Sequence, residues 1–302
     1  MRIFRNKFNL NYTKNSILII GNFDGLHLGH VSIIKEAKKL AKKKKLKVGL
    51  LTFDPNPKEF FTRNNNFKIF SLIEKEKILS QIKLNYLIVL KFNKKFRNLS
   101  ADKFIKNILK AKINPFKIII GKEFRFGKNR VGNFKLLKKY FDIKIAKQKK
   151  MGSRKISSTE IRKFIQNGKV FEAKKLLGRY WSIVGKIISG NQIGRKLGFR
   201  TANTVIKNCV QPLRGVYVTK LYFNNKVYNG ISNFGIAPTF GKKQSNVLET
   251  HLFKPVKNLY KKNVKIEFLK FLRKEKKFKT KKHLTDQIKK DITIAKRVLK
   301  NV

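Results

Sequence analysis

A chain of 302 residues with 41% hydrophobic and 12% aromatic side chains is long enough for two ordinary domains and apolar enough to build a core in each, which excludes a disordered protein. Its 74 Lys and Arg stand against 16 Asp and Glu, a formal charge of +58, but the lysines are spread along every segment. That pattern reads as composition-wide drift, so nucleic-acid binding beyond weak, salt-sensitive attraction is not expected.

In chain order, short β-branched and aromatic runs at 17–20, 48–53, 86–90, 117–120 and 143–146 predict strands. Helical patterns lie between them, among them 30–41 and 100–109, the latter opening on Ser100 as its N-cap. Strand and helix alternation predicts a parallel, doubly wound sheet. From Trp181 onward the pattern changes to close-spaced strands at 182–188, 215–223, 227–232 and 264–271, broken by Gly, Asn and Pro. These predict a small antiparallel β-barrel or sandwich. Leu284, Ile288, Ile292 and Ala295 then recur at helical spacing, so 280–299 should form an amphipathic helix packed on it. The domain boundary is placed at 179/180. Cys209 is the only cysteine and no apolar run approaches the roughly 20 residues of a membrane span, so a cytoplasmic, soluble protein is expected.

The sharpest local feature is Gly21-Asn22-Phe23-Asp24-Gly25-Leu26-His27-Leu28-Gly29-His30, between the first strand and the first helix. Ligands of open α/β sheets bind beyond the carboxyl ends of the strands, and a helix N-terminus offers free N–H groups to phosphate. Glycines let the backbone approach a nucleotide, and His27 and His30 add ring donors. The His-x-Gly-His segment resembles the nucleotidylyltransferase superfamily, and with the Gly-Asn-Phe-Asp-Gly ahead of it resembles the FMN adenylyltransferase half of bacterial bifunctional riboflavin kinase/FAD synthetases. The resemblance implies a Rossmann-like sheet in which His27 and His30 stabilise charge on the α-phosphate of ATP, with Gly21, Asn22, Asp24 and Gly29 around the nucleotide.

The superfamily's second signature is expected late in the domain, and Ile156-Ser157-Ser158-Thr159-Glu160-Ile161-Arg162 resembles it. It implies that Ser157, Ser158 and Thr159 serve ATP, with Ser158 and Thr159 capping the next helix, and that Arg162 grips the β- and γ-phosphates. Thr52-Phe53-Asp54-Pro55-Asn56-Pro57 and Gly121-Lys122-Glu123-Phe124-Arg125-Phe126-Gly127 resemble the family's flavin and nucleotide loops, implying flavin contacts from Asp54, Pro55, Phe124 and Phe126. The family usually has His where Asn56 stands and Asp where Glu123 stands, so no catalytic role is carried to these two.

Residues 185–203, with glycines at 185, 190, 194 and 198 and closing in Arg200-Thr201-Ala202-Asn203, resemble the riboflavin kinase signature, with Arg200 in place of its proline. The resemblance implies a β-barrel kinase domain in which Gly185 and Gly194 wrap ATP phosphates and Thr201 and Asn203 hold magnesium. Oxygens two residues apart on an extended segment share a face, which suits a common metal. Phosphorylating a neutral hydroxyl requires a base, and Glu249 in Val247-Leu248-Glu249-Thr250-His251 sits where the family keeps it. The expected substrates are ATP, riboflavin and FMN. The order of motifs along the chain favours a bifunctional enzyme. The main alternative is a chain in which only the adenylyltransferase works, because Arg200 loosens the loop that a proline would restrain.

Overall fold

The computed structural model describes residues 1–189, 198–238 and 244–301. They form two compact units, Met1–Asn64 with Leu72–Ser157, and Asn65–Ser71 with Ser158–Val302. The second packing unit thus begins before residue 180, because helix Val170–Leu177 packs on strands of the barrel described below. Packing units and functional domains are different partitions.

The first unit is built on six strands: β1 (Arg2–Arg5), β2 (Ile17–Ile20), β3 (Val48–Asp54), β4 (Tyr86–Lys91), β5 (Lys117–Ile120) and β6 (Asp142–Ile145). They lie in the order β1-β4-β3-β2-β5-β6, every neighbouring pair parallel. Central β2 is buried along its whole length, as expected where helices cover both faces of a parallel sheet. Its side chains alternate between two cores. Ile17 and Ile19 pack with Ile34, Ala37 and Ala41 of helix Leu28–Lys43, whereas Leu18 and Ile20 pack with Phe104, Ile105 and Leu109 on the other face. Each such burial contributes about 1.5–3 kcal/mol. Ser100 caps the helical run that begins at Ala101, its side chain accepting from the Lys103 N–H at 3.2 Å.

Strand β1 had no counterpart in the sequence reading. It is an edge strand of four residues, Arg-Ile-Phe-Arg, whose two arginines are exposed, so little of its apolar signal survives. A two-stranded hairpin, β7 (Lys150–Met151) and β8 (Arg154–Lys155), completes the strands of this unit.

In the second unit, β9 (Trp181–Ile188), β10 (Thr201–Val205), β11 (Gly215–Phe223), β12 (Lys226–Pro238), β13 (Gln244–Leu252) and β14 (Asn263–Arg273) close an antiparallel barrel in the order β10-β13-β12-β11-β14-β9. Strand β12 runs six residues past the expected end at 232, because pairing with β11 and β13 satisfies its backbone across the Asn-Phe-Gly that reads locally as a turn. Trp181, Phe268 and Tyr217 fill the interior, with ring centroids 4.6 and 5.1 Å apart. Beside them Thr219, Ser232 and Thr250 form a buried hydroxyl chain with two 2.8 Å steps.

The terminal helix Lys281–Lys300 starts at its Thr280 cap and lays Ala295, Ile288 and Ile292 on Val216, Val218, Ile231 and Leu269 of the outer barrel face. Arg273, at the end of β14, clasps Asp291 of this helix through Nε and Nη2, and Gln287 donates to the same carboxylate at 2.9 Å. Asp291 is 2% exposed, so removing it strands a half-desolvated guanidinium. Asp291→Ala should cost about 3 kcal/mol in urea denaturation followed by fluorescence of Trp181, the single tryptophan. A loss under about 1 kcal/mol would place the pair among ordinary surface bridges.

Candidate functional sites

In the first unit the chain leaves β2 toward β3 on one side and returns through β5 on the other, so the loops after β2 and β5 flank a topological switch point. The loops 21–30 and 121–127, both singled out by sequence, sit there. Residues 21–27 turn sharply, with Phe23 and Leu26, at φ 47° and 41°, in the left-handed region. Such backbone costs a non-glycine residue roughly 1–2 kcal/mol, here offset by burial of both side chains. His27 caps helix Leu28–Lys43, its Nδ1 accepting from the His30 N–H at 3.3 Å. That bond leaves the neutral His27 proton on Nε2. The two imidazoles stack at 3.7 Å, and Phe23 stacks on His30 at 4.5 Å.

Gly29 has a packing reason: a Cβ there would lie 3.1 Å from the His27 ring, so glycine lets the imidazole fold over the helix start. Lys75, buried in helix Leu72–Gln81, reaches the loop from below, donating to the Asn22 carbonyl at 2.8 Å with Thr52 Oγ1 3.5 Å away. Thr52 donates to the same carbonyl at 3.0 Å. Gly21 and Asn22 are half-buried beside it and Asp24 is buried. Lys75 was not visible as a site residue in sequence. Burial, then the charges of His27 and Lys75, hold the His30 imidazole well below its usual range. Its Nδ1 is buried without a hydrogen-bond partner among the described residues.

Next to Asn22 opens a cavity of about 630 Å³ lined by seven phenylalanines, among them Phe53, Phe92, Phe124 and Phe126, together with Lys58, Arg97, Arg125 and Arg130. Phe53 lies near the end of β3, and the other lining residues come from the loops and helices that follow β2, β3, β4 and β5. Phe124 and Phe126 stack at 5.7 Å with an interplanar angle of 21°. Asp54 and Pro55 lie in the chain between the lining residues Phe53 and Pro57 without lining the cavity themselves. Phe61, Phe92, Phe96 and Arg97 were missed in sequence, since phenylalanine scattered over separate loops carries no periodicity. Asn56 caps helix Pro57–Thr62, its side chain accepting from Lys58 N–H at 3.0 Å while Glu59 accepts from Asn56 N–H at 3.1 Å.

Ser157 ends the first packing unit, and Ser158, Thr159 and Arg162 belong to the second. The helix runs Ser158–Gln166, so its cap position is Ser157, one residue before the expected caps, and Ser158 and Thr159 occupy its first turn. Arg162 donates to the Phe67 carbonyl at 3.0 Å, and its guanidinium lies 3.9 Å over the Phe67 ring.

On the barrel, register places Asn203 opposite Glu249, Glu249 opposite Asn233, and Thr201 opposite His251. These side chains share the outer face, because Ile231, two residues from Asn233, packs under the terminal helix. Glu249 is half-buried, and burial, then the charge of Glu275, push its carboxyl above the ordinary glutamate range. Glu275 accepts from Asn233 Nδ2 at 3.4 Å. Asn203 is 7% exposed, and its Oδ1 has no hydrogen-bond partner among the described residues. Such a buried, orphaned oxygen two residues from the exposed hydroxyl of Thr201 fits the all-oxygen donor set of magnesium. Gly185 lies in β9, where a Cβ would meet the Thr204 methyl at 2.4 Å, and Gly194 lies outside the described residues.

Residues 10–160 match the family model for FAD synthetase, and residues 177–299 that for riboflavin kinase. The bifunctional riboflavin kinase/FMN adenylyltransferase of Buchnera aphidicola subsp. Schizaphis graminum is 42% identical, the alignment covering 98% of each chain. Those of Bacillus subtilis and Escherichia coli K12 are 36% and 32% identical over 95% and 96% of this chain, and over 93% and 96% of their own. A solved Streptococcus pneumoniae structure, described as a macrolide-efflux protein, superposes with a TM-score of 0.86 at 29% identity, covering 98% of this chain and 99% of that one. Among the described residues no helix is long and apolar enough to cross a membrane.

The His30 environment has a pH consequence. Above pH 6.5 folded and unfolded chains both hold its imidazole neutral; below, the unfolded chain takes up a proton that the folded one resists, so stability falls with pH. Urea midpoints by circular dichroism at pH 7.5 and 5.5 should differ less in His30→Asn than in wild type. An unchanged difference would remove His30 as the cause.

Proposed function

The chain belongs to the family of bifunctional riboflavin kinases/FMN adenylyltransferases, and we propose that residues 180–302 phosphorylate riboflavin to FMN while residues 1–179 adenylylate FMN to FAD, each with ATP. The observation that carries the assignment of sites is the aromatic, cation-rimmed cavity beside the His27–His30 loop.

Seven phenylalanines make a slot suited to a flat tricyclic flavin, and Lys58, Arg97, Arg125 and Arg130 add positive charge for its phosphate. FMN phosphate is already anionic, so it attacks the α-phosphorus of ATP and expels pyrophosphate without a general base. The residues' task is to hold the developing charge: His27 and His30 donate from the helix N-terminus, the helix dipole adds to them, and Lys75 fixes the carbonyl of Asn22. The neutral state of His30 makes it a hydrogen-bond donor and not a counter-charge. Gly21, Asp24, Gly29, Ser157, Ser158, Thr159 and Arg162 complete the ATP contacts of this reading, and Asp54 and Pro55 frame the flavin.

In the barrel the nucleophile is a neutral hydroxyl, and Glu249 accepts its proton as the oxygen bonds to the γ-phosphorus and ADP leaves. Its raised affinity for a proton suits it to that role. Thr201 and Asn203 would hold magnesium, which supplies charge neutralisation to the ATP phosphates, and Gly185 and Gly194 would lie along them. Asn203, Glu249 and Asn233 stand on three adjacent strands, so acceptor and base are fixed by one hydrogen-bonded ladder. The enzyme works in the cytoplasm, where its one cysteine stays reduced.

Incubation with riboflavin, ATP and magnesium should yield both FMN and FAD; neither product from a folded preparation would overturn the assignment. His27→Ala or His30→Ala should lower FAD formation by about 10²–10³ and leave FMN formation intact. Glu249→Gln should reverse that pattern, stopping FMN formation while supplied FMN still becomes FAD. Phe124→Ala should raise the KM for FMN about tenfold through loss of ring stacking, and an unchanged KM would move the flavin out of this cavity.

A further inference from the structure

Strand β10 is short, and its two edges are unequally supported. On β13 it pairs along its length, from Thr201 opposite His251 to Val205 opposite Val247. On β9, among the described residues, it pairs through Asn203 and Thr204. Among the described residues Thr201 and Ala202 therefore have one neighbouring strand. Just upstream, Gly198 is exposed at φ +82°, and residue 200 is not a proline, so no ring fixes the φ at the entry to the strand.

The structure supplies that restraint from a side chain. His251 Nδ1 lies 3.0 Å from the Arg200 carbonyl oxygen. The carbonyl can only accept, so Nδ1 carries the proton, in either the neutral Nδ1–H tautomer or the imidazolium. The ring is framed by Phe199, edge-on at 5.4 Å, and Phe253 at 6.4 Å. His251 is two residues from Glu249 on the same strand and face, and Thr201 and Asn203 are their cross-strand partners. Four side chains thus form one patch, and among the described residues His251 is the one of the four bonded to the backbone of the opposing strand's start.

We propose that His251 is a positioning residue for the kinase reaction, anchoring the carbonyl of Arg200 so that Thr201 and Asn203 are presented to the magnesium and phosphates of ATP beside Glu249. The proposal rests on the reading of Thr201, Asn203 and Glu249 as the kinase site. It assigns His251 no proton transfer, because both of its donor forms make the same bond.

The test uses the full chain and four variants, His251→Ala, His251→Asn, Arg200→Pro combined with His251→Ala, and Glu249→Gln. One readout is the KM and kcat of riboflavin phosphorylation with ATP and magnesium. The other is hydrogen exchange of the amides at 200–204 without nucleotide or metal. His251→Ala should raise the KM for ATP–magnesium roughly 5- to 10-fold, the worth of one lost hydrogen bond, with kcat changed less than about twofold. The same amides should exchange several-fold faster. His251→Asn should stay near wild type, since its amide donates from almost the position of Nδ1, and Arg200→Pro should recover part of both losses.

Wild-type KM and exchange in His251→Ala would overturn the proposal. So would equal loss of kcat, by about 10² or more, in the Ala and Asn variants with exchange unchanged, because that pattern marks an acid–base group. Glu249→Gln that keeps kinase activity would instead overturn the site assignment, and the exchange result would then decide the anchoring role by itself.

Discussion

Charge is the constraint on which the rest of this molecule depends. With 74 basic and 16 acidic side chains the chain cannot neutralise itself, and every carboxylate taken from the surface leaves more repulsion unscreened there. Two of the buried acids have definite tasks. Asp291 secures the terminal helix through Arg273, and Glu59 closes a capping box over the start of a helix that lines the aromatic cavity. Burial, then the charge of Glu275, raise the proton affinity of Glu249 in a chain that has a surplus of lysines for separating the two carboxylates. Keeping two like charges together against that surplus suits the base proposed at Glu249.

The two sites solve opposite electrostatic problems. In the first unit the attacking group of the proposed reaction arrives as an anion; the cavity is lined by four cations, with Glu123 as the lone carboxylate among the lining residues, and two stacked imidazoles stand in the loop that begins at Asn22. In the barrel the attacking group is neutral, and the outer face offers a carboxylate pair and an orphaned amide oxygen. The composition supplies the first kind of site almost everywhere along the chain. The second kind is rarer here, and it is held on paired strands, where register fixes spacing without further contacts.

What was legible in the sequence follows from how local each signal is. Strand β2, helix Leu28–Lys43 and the terminal helix announce themselves through period and capping, and the loop at 21–30 through density of glycine and histidine. Strand β1 was illegible because an edge strand of four residues flanked by arginines has no alternation to read. Lys75 looks like one more solvated lysine in Glu-Lys-Glu-Lys; only the packing of its helix under the loop turns it toward Asn22. The phenylalanines of the cavity come from the end of β3 and from three separate connections, and the sheet topology gathers them. Asp291 similarly reads as an exposed helix acid until β14 ends beside it.

The three departures from the family pattern share a physical logic. Asn56 stands where histidine is usual, and its short amide makes the cap that a helix beginning at Pro57 requires. Glu123 stands where aspartate is usual; it is exposed at the cavity rim and reaches Lys155 at 3.4 Å, a contact too open to weigh much in stability. Arg200 replaces proline, and His251 holds its carbonyl. In each case the substitution changes a side chain whose neighbours on the sheet or barrel remain hydrogen-bonded, so the backbone that carries Phe53, Phe124 and Thr201 keeps its course. A loop can lose one customary residue when the strand before or after it is fixed by a ladder, and all three departures fall within two or three residues of a strand end.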